Sequence, residues 1–266
     1  MITTSLILQL VVVSALQQRT AQERAFDSLR AELAQGTAPV GPADASGRAL
    51  APGRPVAFLE IPAIDLRQVI GEGTTSSNLF KGPGHRRDSP LPGQQGTSVL
   101  LGRRGAFGGP FARLDELERG DRIRVTTGQG VHEFSVLGTR AEGERAPAPV
   151  RAGEARLLLV TAAGRPFLPS GVLRVDAALR GEAAVGPAPL VPPASLPAAE
   201  RIMGADASTL WALALWLQLL TALTIGAVWA WHRWGRARAW VVFCPPLMLV
   251  GLFASGEAAR LLPNLL

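Results

Sequence analysis

The chain has 266 residues, 47% of them hydrophobic, with a mean hydropathy of +0.21. That length fits one medium domain with accessory segments or two small domains, and so apolar a composition points to membrane segments rather than a purely soluble protein. The net charge of +6 is carried by arginine, Lys81 being the only lysine; the arginines are interleaved with acids, as in Arg113-Leu-Asp-Glu-Leu-Glu-Arg119, which argues against a nucleic-acid partner.

The chain opens on an apolar run, residues 1–16, with no basic residue before it and no small-residue cleavage site after it. It is shorter than the ~20 residues of a spanning helix and reads as a signal anchor that its start leaves incomplete. Residues 17–33 continue as a polar helical stretch with Phe26, Leu29 and Leu33 at helical spacing, so residues 1–35 are expected to form an anchor and its helical extension. Residues 36–55 and 182–208 are rich in Pro, Gly and Ala and read as linkers.

Between the linkers, residues 56–181 read as β. A strand at 57–66 turns at Pro62, and 97–101 is a buried strand. Residues 121–127 alternate polar and apolar, turn at Gly128-Gln-Gly130 and return over 131–137, a hairpin with period-two patterning. Residues 156–161 and 172–179 add strands, and 110–117 is the one helical piece expected. Many short strands with Gly/Pro turns favour a closed barrel or sandwich, so the fold class is mainly β.

Residues 209–231 carry no charge and have Trp at both ends, as interfacial belts prefer. A second apolar run, 239–255, contains Pro245-Pro246, which allows a kinked or re-entrant helix. Between them, 232–238 holds Arg233, Arg236 and Arg238, which places that loop in the cytoplasm and the β-unit outside, with 256–266 a short outer tail. Cys244, the single cysteine, lies in the second run; it allows no intrachain disulfide, and it reads as a packing residue rather than a catalytic thiol. No cofactor and no metal are expected.

Several segments of 56–181, in order, resemble the sortase family of Gram-positive bacteria, in particular the actinobacterial class E type. They are Leu59-Glu-Ile-Pro-Ala-Ile-Asp-Leu66, Glu72-Gly-Thr, Leu79-Phe-Lys-Gly-Pro-Gly-His85, Leu91-Pro-Gly-Gln-Gln-Gly96, Val99-Leu-Leu-Gly-Arg-Arg104, Phe107-Gly-Gly-Pro-Phe-Ala-Arg-Leu-Asp-Glu-Leu117 and Arg156-Leu-Leu-Leu-Val-Thr-Ala162. The resemblance implies a closed β-barrel with short helices. It also implies a cysteine transpeptidase, whose thiolate attacks a Leu-Pro-x-Thr-Gly-type sorting signal while a histidine moves protons and an arginine holds the oxyanion.

The sequence departs from that pattern at all three positions. Arg103 stands at the histidine position, Ala162 at the cysteine position, and the family arginine aligns with Val172. A guanidinium is no base near neutral pH, and alanine offers no nucleophile. Arg174, two residues beyond Val172, shares its strand face and is a candidate replacement cation. Arg103 and Arg104 read either as solvated or paired surface residues, or as a basic pair at the mouth of the ancestral groove, able to bind a carboxylate, a peptide or an anionic wall polymer. Thr161 and His85 complete the candidate groove residues. Ser98, His132 and His232 fall into no Ser/His/Asp pattern.

The leading expectation is therefore a membrane-anchored pseudo-sortase on the outer face, leaning to no enzymatic activity. Its partners would be the membrane and a sorting-signal-like peptide, a cell-wall polymer or another membrane protein. The alternatives are a divergent transpeptidase or hydrolase with a different nucleophile, and a docking module acting through the 209–255 hairpin.

Overall fold

A computed structural model describes residues 14–44, 46–105, 107–165, 168–204 and 210–265. Most of the run read as an anchor, residues 1–13, lies outside the described residues. Eight strands close into a barrel: β1 (Pro55–Ile61), β2 (Leu66–Glu72), β3 (Gly84–His85), β4 (Gly96–Leu101), β5 (Arg122–Thr127), β6 (Gly130–Arg140), β7 (Ala155–Arg165) and β8 (Leu168–Arg180). Their order around the barrel is β1-β2-β3-β4-β7-β8-β6-β5. The β2–β3 and β4–β7 pairs are parallel. Closure leaves no free sheet edge.

Alternation selects the inward face. On β5, Ile123 and Val125 are buried while Arg122 and Arg124 are exposed. They meet Leu59 and Ile61 of β1, Phe134 and Val136 of β6, Leu157 and Leu159 of β7 and Val175 of β8 in one core. The hairpin read at 121–137 is β5–β6, with Thr127 opposite Gly130.

Helix α1 (Ser14–Gln35) lies along β1 and β2. Phe26 meets Phe58 edge-on at 5.1 Å, Leu29 is buried, and Glu32 pairs with Arg54 at 3.3 Å. The side chain of Gln22 acts as a piece of strand: it accepts from the Val69 amide at 2.7 Å and donates to the carbonyls of Val69 and Lys81 at 3.1 and 2.8 Å. The two-residue β3 is too short to reach Val69, since it pairs only Gly71 and Glu72. Gly82, against which Gln22 packs, has φ 152° and no Cβ to block this approach. A short helix, α2 (Ser76–Leu79), follows β2.

Three segments differ from the sequence reading. Residues 110–117 are turns with a single 3₁₀ turn at Leu114–Glu116 rather than a helix. Phe111, Leu114 and Leu117 are all buried at a spacing of three, which matches a 3₁₀ period rather than 3.6. The Pro/Gly-rich stretches around the barrel are irregular but fastened to it. Leu50 joins the main core, Gly53 donates to Glu72, and Ala184 accepts from the Gln95 amide and donates to the Gly93 carbonyl. Finally, the apolar runs are longer helices than expected: α3 (Leu210–Trp234) and α4 (Arg236–Arg260). Gly235, at φ 87°, is the whole connection, so the expected loop 232–238 is absorbed into the helix ends. Pro245 and Pro246 lie inside α4, which stays helical throughout. Both helices are long and apolar enough to cross a membrane, and large side chains such as Trp211 (83% exposed) face outward.

Candidate functional site

Strand pairing assembles the site at one end of β7. The register sets Ala162 opposite Val172 and Val160 opposite Arg174. Alternation along β7 sends Leu157 and Leu159 into the main core and Val160 and Ala162 to the other face. There they form a second apolar cluster with Leu79, Val99, Leu101 and Val172. Arg174 is half-buried on the same face, beside the Asp176–Arg140 ion pair of 2.6 Å. Ala162 is 1% exposed, so even its methyl group is withdrawn from solvent.

The chain leaves β4 with one further ladder bond, Gly102 N–H to Val160 O at 3.0 Å, and places Arg103 beside this cluster. Any Cβ at Gly102 would collide with the Phe111 ring, so glycine is required where the backbone crosses that core side chain. Arg103 is fully buried, with 0% exposure. Its guanidinium carbon lies 4.5 Å from the centre of the Phe80 ring and 5.3 Å from that of Phe107. These rings are themselves stacked at 3.9 Å. Phe107 holds φ 54°, a left-handed conformation costing on the order of 1 kcal/mol, which the ring stack offsets. Burial pushes the Arg103 guanidinium down to about 9, so it remains a cation at neutral pH.

The basic pair is thus divided. Arg104 turns away to Asp115 at 2.8 Å, while its backbone N–H donates to Leu265 O at 3.0 Å. That bond marks a feature outside the sequence reading: residues 261–265 lie on the site. Leu265 is 0% exposed and belongs to the cluster of Ala162 and Val172, and Asn264 is equally buried. The one signal in the sequence was an amide side chain set in the apolar run Leu261-Leu-Pro-Asn-Leu265.

The remaining candidates have structural surroundings. His85 bridges Glu72 at 2.8 Å and Pro90 O at 3.0 Å, and Ser89 Oγ, 3.2 Å from its ring, accepts from the Val99 amide at 3.1 Å. Burial acts to push the imidazole down, but the Glu72 carboxylate, by charge and by hydrogen bond, together with the Pro90 carbonyl, leaves it raised above 6.5. Thr161 Oγ1 and Ser98 Oγ are buried on the core-facing side and have no hydrogen-bond partner among the described residues. His132 meets Thr127 Oγ1 at 3.1 Å, and burial pushes it down. Among the described residues, no three His, Cys, Asp or Glu side chains gather where they could hold a metal.

A closed barrel with its site at the β4–β7–β8 rim is the architecture of a sortase-type domain. Residues 59–166 match the Sortase domain family. It is 38% identical over 88 residues to sortase D of Bacillus subtilis (strain 168), a match covering 33% of this chain and 43% of that protein. The chain therefore matches less than half the length of this curated relative. Among solved structures, it is similar to a sortase D5 transpeptidase of Clostridium perfringens: 19% identity, 61% of this chain and 99% of that one, TM-score 0.49. It is also similar to sortase E1 of Streptomyces coelicolor, solved with a tripeptide in its active site: 25% identity, 51% and 93%, TM-score 0.43.

Proposed function

We propose that this protein is a non-catalytic sortase-domain protein of the outer membrane face, which holds a peptide or envelope partner in cell-surface assembly. The observation that carries the reading is Ala162. At the position the resemblance gives to the nucleophile stands a methyl group, opposite Val172 and 1% exposed. Arg103, at the histidine position, is a buried cation with no capacity to accept a proton at neutral pH. The other hydroxyls near the strand, Thr161 and Ser98, face the core with no base beside them among the described residues.

The turn formed by the Leu-Pro-Asn-Leu segment supports binding: its Leu265 packs on the Ala162–Val172 cluster and its carbonyl accepts from the Arg104 amide. Sidedness is read from Arg233, Arg236 and Arg238 at the turn between α3 and α4, which favours a cytoplasmic turn and puts the barrel outside. The test is incubation of the full chain in detergent with a Leu-Pro-x-Thr-Gly peptide and an amine acceptor, followed by mass spectrometry. Neither cleaved nor transferred product is expected, and no serine-, threonine- or cysteine-directed probe should label residues 56–181. Turnover abolished by Thr161→Val or Arg103→Lys would overturn the reading.

A further inference from the structure

Residues 261–265 leave α4 and return to the barrel, where they are held as a bound peptide is held. Leu265 fills the cluster of Leu101, Val160, Ala162 and Val172, and its carbonyl accepts from the Arg104 amide at 3.0 Å. Asn264 ties three pieces of chain together. Its backbone N–H donates to Gly204 O at 2.9 Å, and its Nδ2 donates to Thr74 O at 3.0 Å and Arg201 O at 2.9 Å. The turn at 198–204 closes over the same place. Thr74 Oγ1 donates to Glu200 O at 2.6 Å, Arg87 pairs with Glu200 at 3.2 Å, and Ile202 and Met203 pack on the cluster. An apolar side chain in a pocket, a backbone bond to the rim and a side-chain amide that donates to carbonyls are ingredients of peptide recognition.

We propose that the groove over Ala162 is a peptide site whose ligand is supplied in cis: residues 261–265 occupy it, and an apolar peptide of the Leu-Pro-Asn-Leu kind must displace them to enter. The proposal rests on the binding role given to the groove above and specifies how access to it is controlled. Two features make the contact releasable. The main barrel core contains no residue from 181 onward, so lifting the segment leaves that core intact. Asn264 lies beyond the last residue of α4 and meets Gly204 through one backbone bond, so releasing 261–265 breaks that bond and none of the hydrogen bonds within α3 and α4. A tethered ligand competes at an effective concentration on the order of mM, enough to mask the site from a weak peptide in trans.

The test uses the full chain in detergent micelles and a fluorescein-labelled Leu-Leu-Pro-Asn-Leu peptide read by anisotropy. Leu265→Asp, which cannot stay in the apolar cluster, is expected to bind the peptide at least about tenfold more tightly than the unmodified chain. Asn264→Ala should fall between them. In the unmodified chain, hydrogen exchange supplies a second reading that needs no variant. Excess unlabelled peptide should speed exchange across 261–265 while the Arg104 amide stays protected. Equal affinity for the unmodified chain and a folded Leu265→Asp, no binding by that folded variant, or no change in 261–265 exchange at peptide excess would each overturn the proposal. Peptide cleavage by Leu265→Asp would instead overturn the non-catalytic reading and leave the cis ligand standing.

Discussion

Arg103 occupies the position the resemblance gives to a proton-transferring histidine, and nothing of it reaches solvent. Its planar, delocalised charge is matched to the Phe80 and Phe107 rings, a match a lysine ammonium cannot reproduce. Arg103→Lys is expected to cost about 1–2 kcal/mol, seen as a lower thermal-unfolding midpoint by circular dichroism; an unchanged midpoint would count against the ring contacts. His85 makes a second prediction. Its folded-state value is raised above the unfolded 6.5, so its contribution is complete below that pH and is lost as pH rises through the folded value. Unfolding midpoints should therefore fall as pH rises above 6.5, and Glu72→Gln should flatten the slope. The substitutions at Arg103 and Ala162 could be read from sequence because each side chain's chemistry is intrinsic. The burial of Arg103 could not, because Phe80 reaches it through the fold and not through sequence proximity.

At the scale of elements, strands were legible wherever one face is core and the other solvent, as in β5 and β6, since alternation records that geometry. Residues 110–117 were misread because apolar residues three apart fit a helix on paper; only their joint burial with turn bonds such as Phe111 N–H to Arg103 O fixes the 3₁₀ path. Likewise, α1 looked like a polar extension of an anchor, yet Gln18 and Gln22 are used as barrel contacts. Gln22→Ala would leave the Val69 amide and carbonyl without their clasp. A loss of about 1–3 kcal/mol is expected, with faster exchange of the Val69 amide by mass spectrometry. An unaltered exchange rate there would mean that water replaces the glutamine without cost.

On the scale of the whole molecule, the barrel and the helical hairpin are chemically distinct bodies. All six tryptophans fall between Trp211 and Trp240, so intrinsic fluorescence reports the hairpin while the β-rich far-UV signal reports the barrel. In liposomes, brominated acyl chains should quench most of the tryptophan emission, because Trp211 and Trp229 face outward from the helices; emission indifferent to them would argue against insertion. Phe134→Ala, in the main core, should lower barrel stability by about 3–5 kcal/mol and leave tryptophan emission unchanged below the transition. The sequence by itself determined the strand pattern, the two apolar helices and the absence of a thiol at 162, since periodicity, length and side-chain chemistry are local properties. Only the tertiary structure decided that the linkers are fastened to the barrel, that Arg103 is interior and that Leu265 packs on the cluster of Ala162 and Val172. Those outcomes depend on contacts between residues as far apart as Thr74 and Asn264, which no local pattern encodes and only the closed barrel brings together.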